Sequence, residues 1–102
     1  MSDKYLSNQI QQVLKLVELM AGNEINGAEP SKLARALNIS PAGVTRLLKN
    51  LEHANWAERL PENDTRWRLH KKPVQLSNTV EQNFRDNLRR LQTEAANYNV
   101  LG

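Results

Sequence analysis

Apolar residues recur at intervals of three and four along the first half of the chain, the spacing of one helix face. Ile10 to Met20 follow Ser7 or Asn8 as the candidate cap and precede Gly22, which predicts a first helix from about Ser7 to Ala21. Glu29-Pro30 opens a second helix, which Asn38-Ile39 ends. Ser40-Pro41 then opens a third that runs to about His53. The pattern predicts three short helices, with a three-residue turn between the second and the third.

Two short extended segments follow, 56–60 and 66–70, joined by a predicted loop over 61–65. In the second segment apolar Trp67 and Leu69 alternate with basic or polar neighbours, which predicts a strand with one side on the core. We therefore expect a β-hairpin, with Trp56 and Trp67 packed in the core rather than stacked on bases.

Lys72-Pro73 is predicted to mark the boundary before a last helix, which Ser77 or Asn78 would cap and which runs over 77–98. Its apolar stripe has nearly heptad spacing. The stripe either folds onto its own domain or forms a dimer seam. We favour the seam, made by Phe84, Leu88, Leu91, Ala95 and Tyr98.

The charge of the chain is concentrated in its middle. Among 102 residues, 14 are Lys or Arg and 11 are Asp or Glu, a net charge of +3. Residues 1–40 and 77–102 are each neutral, whereas 41–76 hold seven basic and four acidic groups. This asymmetry is typical of a nucleic-acid-binding surface.

Several classes of function are excluded or disfavoured by composition. There are no cysteines, hence no disulfide framework, thiolate metal site or cysteine nucleophile. The two histidines, His53 and His70, have no partner at metal-ligand spacing, and no phosphate loop or nucleophile motif occurs. No segment reads as a signal peptide or a membrane span. We expect a cytoplasmic protein, associated with the nucleoid when bound to DNA, that is not an enzyme and uses no metal or cofactor.

The order of helix, helix, short turn, helix and hairpin is that of a winged helix-turn-helix. Residues 10–70 resemble the DNA-binding domain of IclR-type transcription regulators, through PSKLARALNISPAGVTRLLKNLEHANWAERL and the closing RWRLH. Less closely, the hairpin resembles the wing of MarR-type regulators, with Asp64-x-Arg66 in a similar place. The predicted fold is mainly α with a small β-hairpin: a winged helix-turn-helix over 7–72, then the C-terminal helix.

The third helix, 41–53, is the predicted recognition helix for the major groove, and the hairpin, 56–70, is the wing on the backbone or minor groove. Arg46 is the best candidate for a base contact because a guanidinium bonds guanine bidentately, whereas Lys49 and Thr45 suit phosphates better. The resemblance implies that Asp64 orients Arg66. The complete predicted DNA-binding set is Ser31, Ser40, Ala42, Gly43, Thr45, Arg46, Lys49, Asn50, Arg59, Asn63, Thr65, Arg66, Arg68 and Lys71.

Ala42 and Gly43 stand where many IclR-type regulators carry longer polar residues, so we expect base readout to rest on few side chains. The predicted function is sequence-specific binding of double-stranded DNA by a homodimeric transcription regulator without a small-molecule effector domain. The alternative is a winged-helix adaptor that binds another protein within a larger assembly and has no DNA binding of its own.

Overall fold

The computed structural model describes residues 4–100, which form four helices and one hairpin. The helices are α1 (Asn8–Met20), α2 (Pro30–Leu37), α3 (Pro41–His53) and α4 (Lys71–Asn99), and the strands are β1 (Ala57–Leu60) and β2 (Asn63–Leu69). The chain divides into two compact units, one ending at Lys71 and the other beginning at Lys72. The predicted fold class is confirmed.

The first three helices begin and end where short-range signals place them. Ser7 and Ser40 cap α1 and α3, their hydroxyl oxygens accepting hydrogen bonds from the amides of Ile10 (3.3 Å) and Gly43 (3.0 Å). Asn38 ends α2 in the left-handed region (φ 56°), and Asn55 follows α3 with φ 65°. These boundaries agree with the predicted ones to within about a residue, as expected for caps formed by neighbouring side chains.

The core of the first unit is built from one face of each of the three helices and the hairpin. Its largest fully buried side chains are Leu16, Met20, Val44 and Leu48. Trp67 of β2 is also buried, and Trp56 and Leu69 pack against the cluster from the edge. Both tryptophans therefore belong to the core, as predicted.

The hairpin is longer on one side than the sequence predicted. β1 and β2 pair antiparallel, with Ala57 opposite Leu69 and Glu58 opposite Arg68, and the register shifts between Arg59 and Leu60. β2 begins at Asn63 rather than Arg66, so the predicted loop over 61–65 is wrong in length. Asn63 Oδ1 accepts hydrogen bonds from the amide and the hydroxyl of Thr65, which fixes the strand's first residues locally.

The loop between α1 and α2 pairs with β2 through a single antiparallel β-bridge. Ala28 pairs with Trp67: the amide of Ala28 donates to the Trp67 carbonyl (2.7 Å) and the amide of Trp67 donates to the Ala28 carbonyl (3.1 Å). This bridge ties the wing to the segment that leads into the helix-turn-helix.

The last helix starts six residues earlier than predicted. α4 begins at Lys71, not at Ser77, and includes Lys72-Pro73 in its first turn. Proline is tolerated there because the first-turn amides of a helix have no intrahelical acceptor. The proline that was predicted to mark a boundary is thus part of the helix start.

Candidate nucleic-acid interface

One side of α3 combines exposed cations with small side chains. Val44, Leu47, Leu48 and Leu51 are buried, so the helix turns its other side outward. That side carries Ala42, Arg46, Lys49 and His53, all exposed as predicted. Within residues 4–100, neither Arg46 nor Lys49 forms an ion pair with a carboxylate. Two exposed positive charges are therefore available on this face.

Other polar side chains of α3 bond to their own helix. The Thr45 hydroxyl donates to the Pro41 carbonyl (3.1 Å), and the Asn50 side-chain amide donates to the Arg46 carbonyl (2.8 Å). Ser40 caps the helix and Gly43 supplies the capped amide. Of the α3 side chains predicted to contact DNA, Arg46 and Lys49 are the ones whose donors make no hydrogen bond within the described residues, so all of them are available to a ligand.

Helix α2 presents a second exposed edge. Ser31 is exposed near its first turn, and Arg35 lies one turn later, also exposed and without an ion pair among the residues described. Residues four apart lie on one side of a helix. The charge distribution places Arg35 only in the neutral segment 1–40, so it is absent from the predicted DNA-binding set. Its position four residues after Ser31 is the signal that points to it.

The wing arginines differ from the prediction in what surrounds them. Arg68 Nε donates to Glu58 Oε2 (2.8 Å) across the hairpin, and its Nη1 lies 3.4 Å from the Glu24 carbonyl oxygen. The second oxygen of Glu58 is 3.3 Å from Nδ1 of His70. Arg59 is exposed and stacks over the Trp67 ring at 5.0 Å. Among the residues that the structure describes, Arg59 is thus the wing arginine without a carboxylate partner.

Arg66 does not pair with Asp64, contrary to what the MarR-type resemblance implies. Its Nη2 donates to Glu29, and its Nη1 lies within hydrogen-bond distance of the carbonyl oxygens of Asn26 (3.4 Å) and Gly27 (3.3 Å). Asp64 is exposed at the wing tip and has no ion pair within the described chain. Glu29 is the residue that the sequence reasoning missed, because nothing local links positions 37 residues apart.

The remaining predicted positions are accessible. Asn63 and Thr65 are exposed at the tip, where they bond to each other, and Lys71 is exposed at the start of α4. The predicted residues thus lie on or beside α2, α3, the hairpin and the start of α4. Two of them, Arg66 and Arg68, are paired with carboxylates of the protein itself.

Helix α4 carries an apolar stripe with no buried member. Phe84 is 73% exposed, Leu88 56%, Leu91 60% and Tyr98 89%, and Ala95 is exposed as well. Large exposed apolar side chains that share one helix side are typical of an association surface. On α1, Ile10 and Leu14 are also more than half exposed and line a shallow groove with Leu47 and Asn50 of α3.

Residues 4–100 contain neither a metal-ligand cluster nor a helix that could span a membrane. No group of three or more His, Asp or Glu side chains suited to a metal ion occurs within residues 4–100. None of the four helices has an apolar stretch of the length needed to cross a membrane.

Comparison with protein families gives a match over the middle of the chain. Residues 19–66 match the sequence model of the MarR family. No curated protein matches the sequence of the chain. The predicted resemblance to MarR-type regulators is therefore confirmed for the segment from the end of α1 to the wing.

Solved structures share the fold. A protein from Silicibacter sp. TM1040 assigned as an IclR transcriptional regulator has a TM-score of 0.63 and 22% identity, over 72% of this chain and 28% of its own. A mutant of S. aureus MepR has a TM-score of 0.52 and 18% identity, over 88% and 66%. Lactococcus lactis ZitR, solved in complex with DNA, has a TM-score of 0.51 and 25% identity, over 94% and 64%. The chain spans less than two thirds of the length of each of these proteins.

Proposed function

We propose that this chain is a transcription regulator that binds duplex DNA in a sequence-specific manner, with α3 in the major groove and the hairpin on the backbone or minor groove. The observation that carries the proposal is the outward face of α3, where Arg46 and Lys49 are exposed and have no carboxylate partner within the described residues. The similarity to ZitR, a protein solved with DNA bound, supports the same function.

The chemistry of the two α3 cations divides their roles. Arg46 has a planar fork of donors that matches the O6 and N7 acceptors of guanine, which only the major groove presents together. Lys49 carries a compact charge on a flexible stem and suits a phosphate oxygen, which gives affinity without sequence information. Ala42 and Gly43 let the helix approach the bases closely but offer them no polar side-chain atom.

Three further groups extend the proposed surface along the DNA backbone. Arg59 on the wing, Lys71 at the start of α4 and Ser31 on α2 are all exposed. Each would meet phosphate or the minor groove and would add to affinity more than to specificity.

We further propose that the chain acts as a homodimer through α4. A single winged helix reads only a few base pairs, and two-fold pairing would double the recognised sequence. The exposed stripe from Phe84 to Tyr98 is the surface available on α4 for a second copy. The proposal involves no cofactor.

Binding to duplex DNA across a range of salt concentrations tests the function. Arg46→Ala should weaken binding to a selected site by about 1–3 kcal/mol and relax its specificity. Lys49→Ala should weaken selected and random duplexes alike and reduce the salt slope by about one. Lys15→Ala is the control, because it removes the same charge from α1, where Lys15 pairs with Glu18.

The outcomes separate the two functions under test. Equal losses for Arg46→Ala on selected and random duplexes would contradict base reading by Arg46. Absence of binding even at low salt would reject DNA binding and favour the protein adaptor.

Sedimentation tests the dimer. Leu88→Asp combined with Leu91→Asp should convert dimers to monomers, since each aspartate would place a charge in an apolar seam. Gln82→Asp combined with Thr93→Asp is the matched control, because it adds the same charge on the other side of the helix at 100° per residue. An unchanged mass in the leucine variant would refute the seam.

A further inference from the structure

The base of the wing contains an ion pair that crosses from the hairpin to the start of α2. Arg66 and Glu29 are each about one-third exposed, at 32% and 35%, so the pair is partly sheltered from solvent. Two loop carbonyls, those of Asn26 and Gly27, lie against the other end of the same guanidinium. Arg66 thus has three protein acceptors, all on the segment between α1 and α2.

The backbone around this pair is closely packed. The amides and carbonyls of Ala28 and Trp67 bond to each other directly beside it. Gly27 has φ +75°, and a Cβ there would lie 2.8 Å from the Cβ of Arg66 and 2.7 Å from Cδ1 of Leu60. The loop, β1 and β2 therefore meet at one joint, with Arg66 as the charged side chain that spans it.

The other contacts of the Glu29 side chain are weak. The residue occupies the N-cap position of α2, yet its side chain makes no capping hydrogen bond. Its carboxylate also lies 3.8 Å from the ammonium of Lys32, whose side chain is 73% exposed, so this second pair contributes little to stability. The carboxylate is oriented toward the guanidinium instead of the helix end.

We infer that Arg66 is a positioning residue, which sets the wing against the helix-turn-helix through Glu29, and that it does not contact DNA itself. The inference rests on the proposed DNA binding. It assigns the MarR-like Arg66 a different role from Arg59, whose guanidinium has no carboxylate partner among residues 4–100 and remains exposed.

The direction in which Glu29→Gln changes DNA affinity tests the inference. Removal of a carboxylate near DNA ordinarily tightens binding, because the protein becomes more positive. If Glu29 holds the wing in place through Arg66, Glu29→Gln should instead weaken binding, by about two- to fivefold. Glu62→Gln is the matched control: Glu62 is an exposed carboxylate at the hairpin turn without an ion pair in the described chain, and its removal should tighten binding.

Arg66→Lys separates positioning from contact. A lysine keeps the charge that a phosphate needs but cannot reach three acceptors with one planar group. As a positioning variant it should lose affinity as Glu29→Gln does, and the Glu29→Gln/Arg66→Lys double variant should lose no more than either single one. Wild-type affinity in Arg66→Lys, or tighter binding by Glu29→Gln, would overturn the inference.

Amide hydrogen exchange tests the joint without DNA. The amides of Ala28 and Trp67 should exchange faster in Glu29→Gln and in Arg66→Lys than in wild type, and Glu62→Gln should leave them unchanged. Unchanged exchange in the first two variants would overturn the inference even if DNA binding is established. If the wild-type chain binds no duplex, the proposed function fails and Arg66 has no role in DNA binding, while faster exchange would still establish the joint.

Discussion

Gly27→Ala should destabilise the first unit far more than the same change at Gly22. Both glycines have positive φ, +75° and +95°, a region that costs a residue with a side chain roughly 1–2 kcal/mol. An added Cβ at Gly22 meets nothing within 4 Å, so Gly22→Ala carries the conformational cost alone.

At Gly27 a packing cost adds to the conformational one. The new Cβ would lie 2.7 Å from Leu60 Cδ1 and 2.8 Å from Arg66 Cβ. The leucine methyl can rotate away, but the Arg66 Cβ is fixed to the backbone of β2, so the loop and the strand must separate. Overpacking of this kind costs about 1–3 kcal/mol. We therefore expect Gly27→Ala to lose roughly 2–5 kcal/mol in total, from the two costs together.

Urea unfolding followed by tryptophan fluorescence measures the difference, because both tryptophans lie in the first unit. Domains of this size have only about 5–15 kcal/mol of stability, so the larger loss should lower the urea midpoint visibly. Equal midpoints for Gly22→Ala and Gly27→Ala would refute the close packing at the joint.

Three other substitutions should have graded effects on the same urea midpoint. Leu48→Ala removes a fully buried side chain from the centre of the core and should cost about 2–5 kcal/mol; a loss under 1 kcal/mol would contradict its burial. Ser40→Ala removes the α3 cap and should cost about 1 kcal/mol, whereas Ser40→Asp, which can cap, should restore stability. Glu58→Gln breaks the cross-strand pair with Arg68, in which both side chains are 30% exposed. Solvent screening limits the expected loss of stability to below about 1 kcal/mol. A larger loss would show that the pair is better sheltered than its exposure indicates.

The parts of the fold that the sequence predicted well are those set by neighbouring residues. Ser7, Ser40 and Asn38 fix helix ends through contacts three or four positions away, so their types and spacing are sufficient. The predicted start of the last helix was wrong because a proline such as Pro73 is compatible with a first helical turn as well as with a boundary. Only the backbone of α4 distinguishes the two.

The parts that the sequence could not predict depend on distant partners. The pair between Arg66 and Glu29 joins positions with no common periodicity, and the resemblance pointed to Asp64 instead. The same holds for Arg68, which reads as a free basic residue in an alternating strand until Glu58 is found opposite it. Exposure of Arg46 and Lys49, by contrast, follows from the apolar face of α3 and was predictable.

The bridge between Ala28 and Trp67 has a consequence for the order of folding. Helices α1 to α3 and the hairpin form from contacts near in sequence, whereas the bridge closes a loop that contains all of α2 and α3. Closing so long a loop costs conformational entropy, and that cost arises before the hydrogen bonds between Ala28 and Trp67 can stabilise the structure. We therefore expect this joint to form late, after the transition state for folding, so that substitutions there accelerate unfolding and leave the refolding rate nearly unchanged.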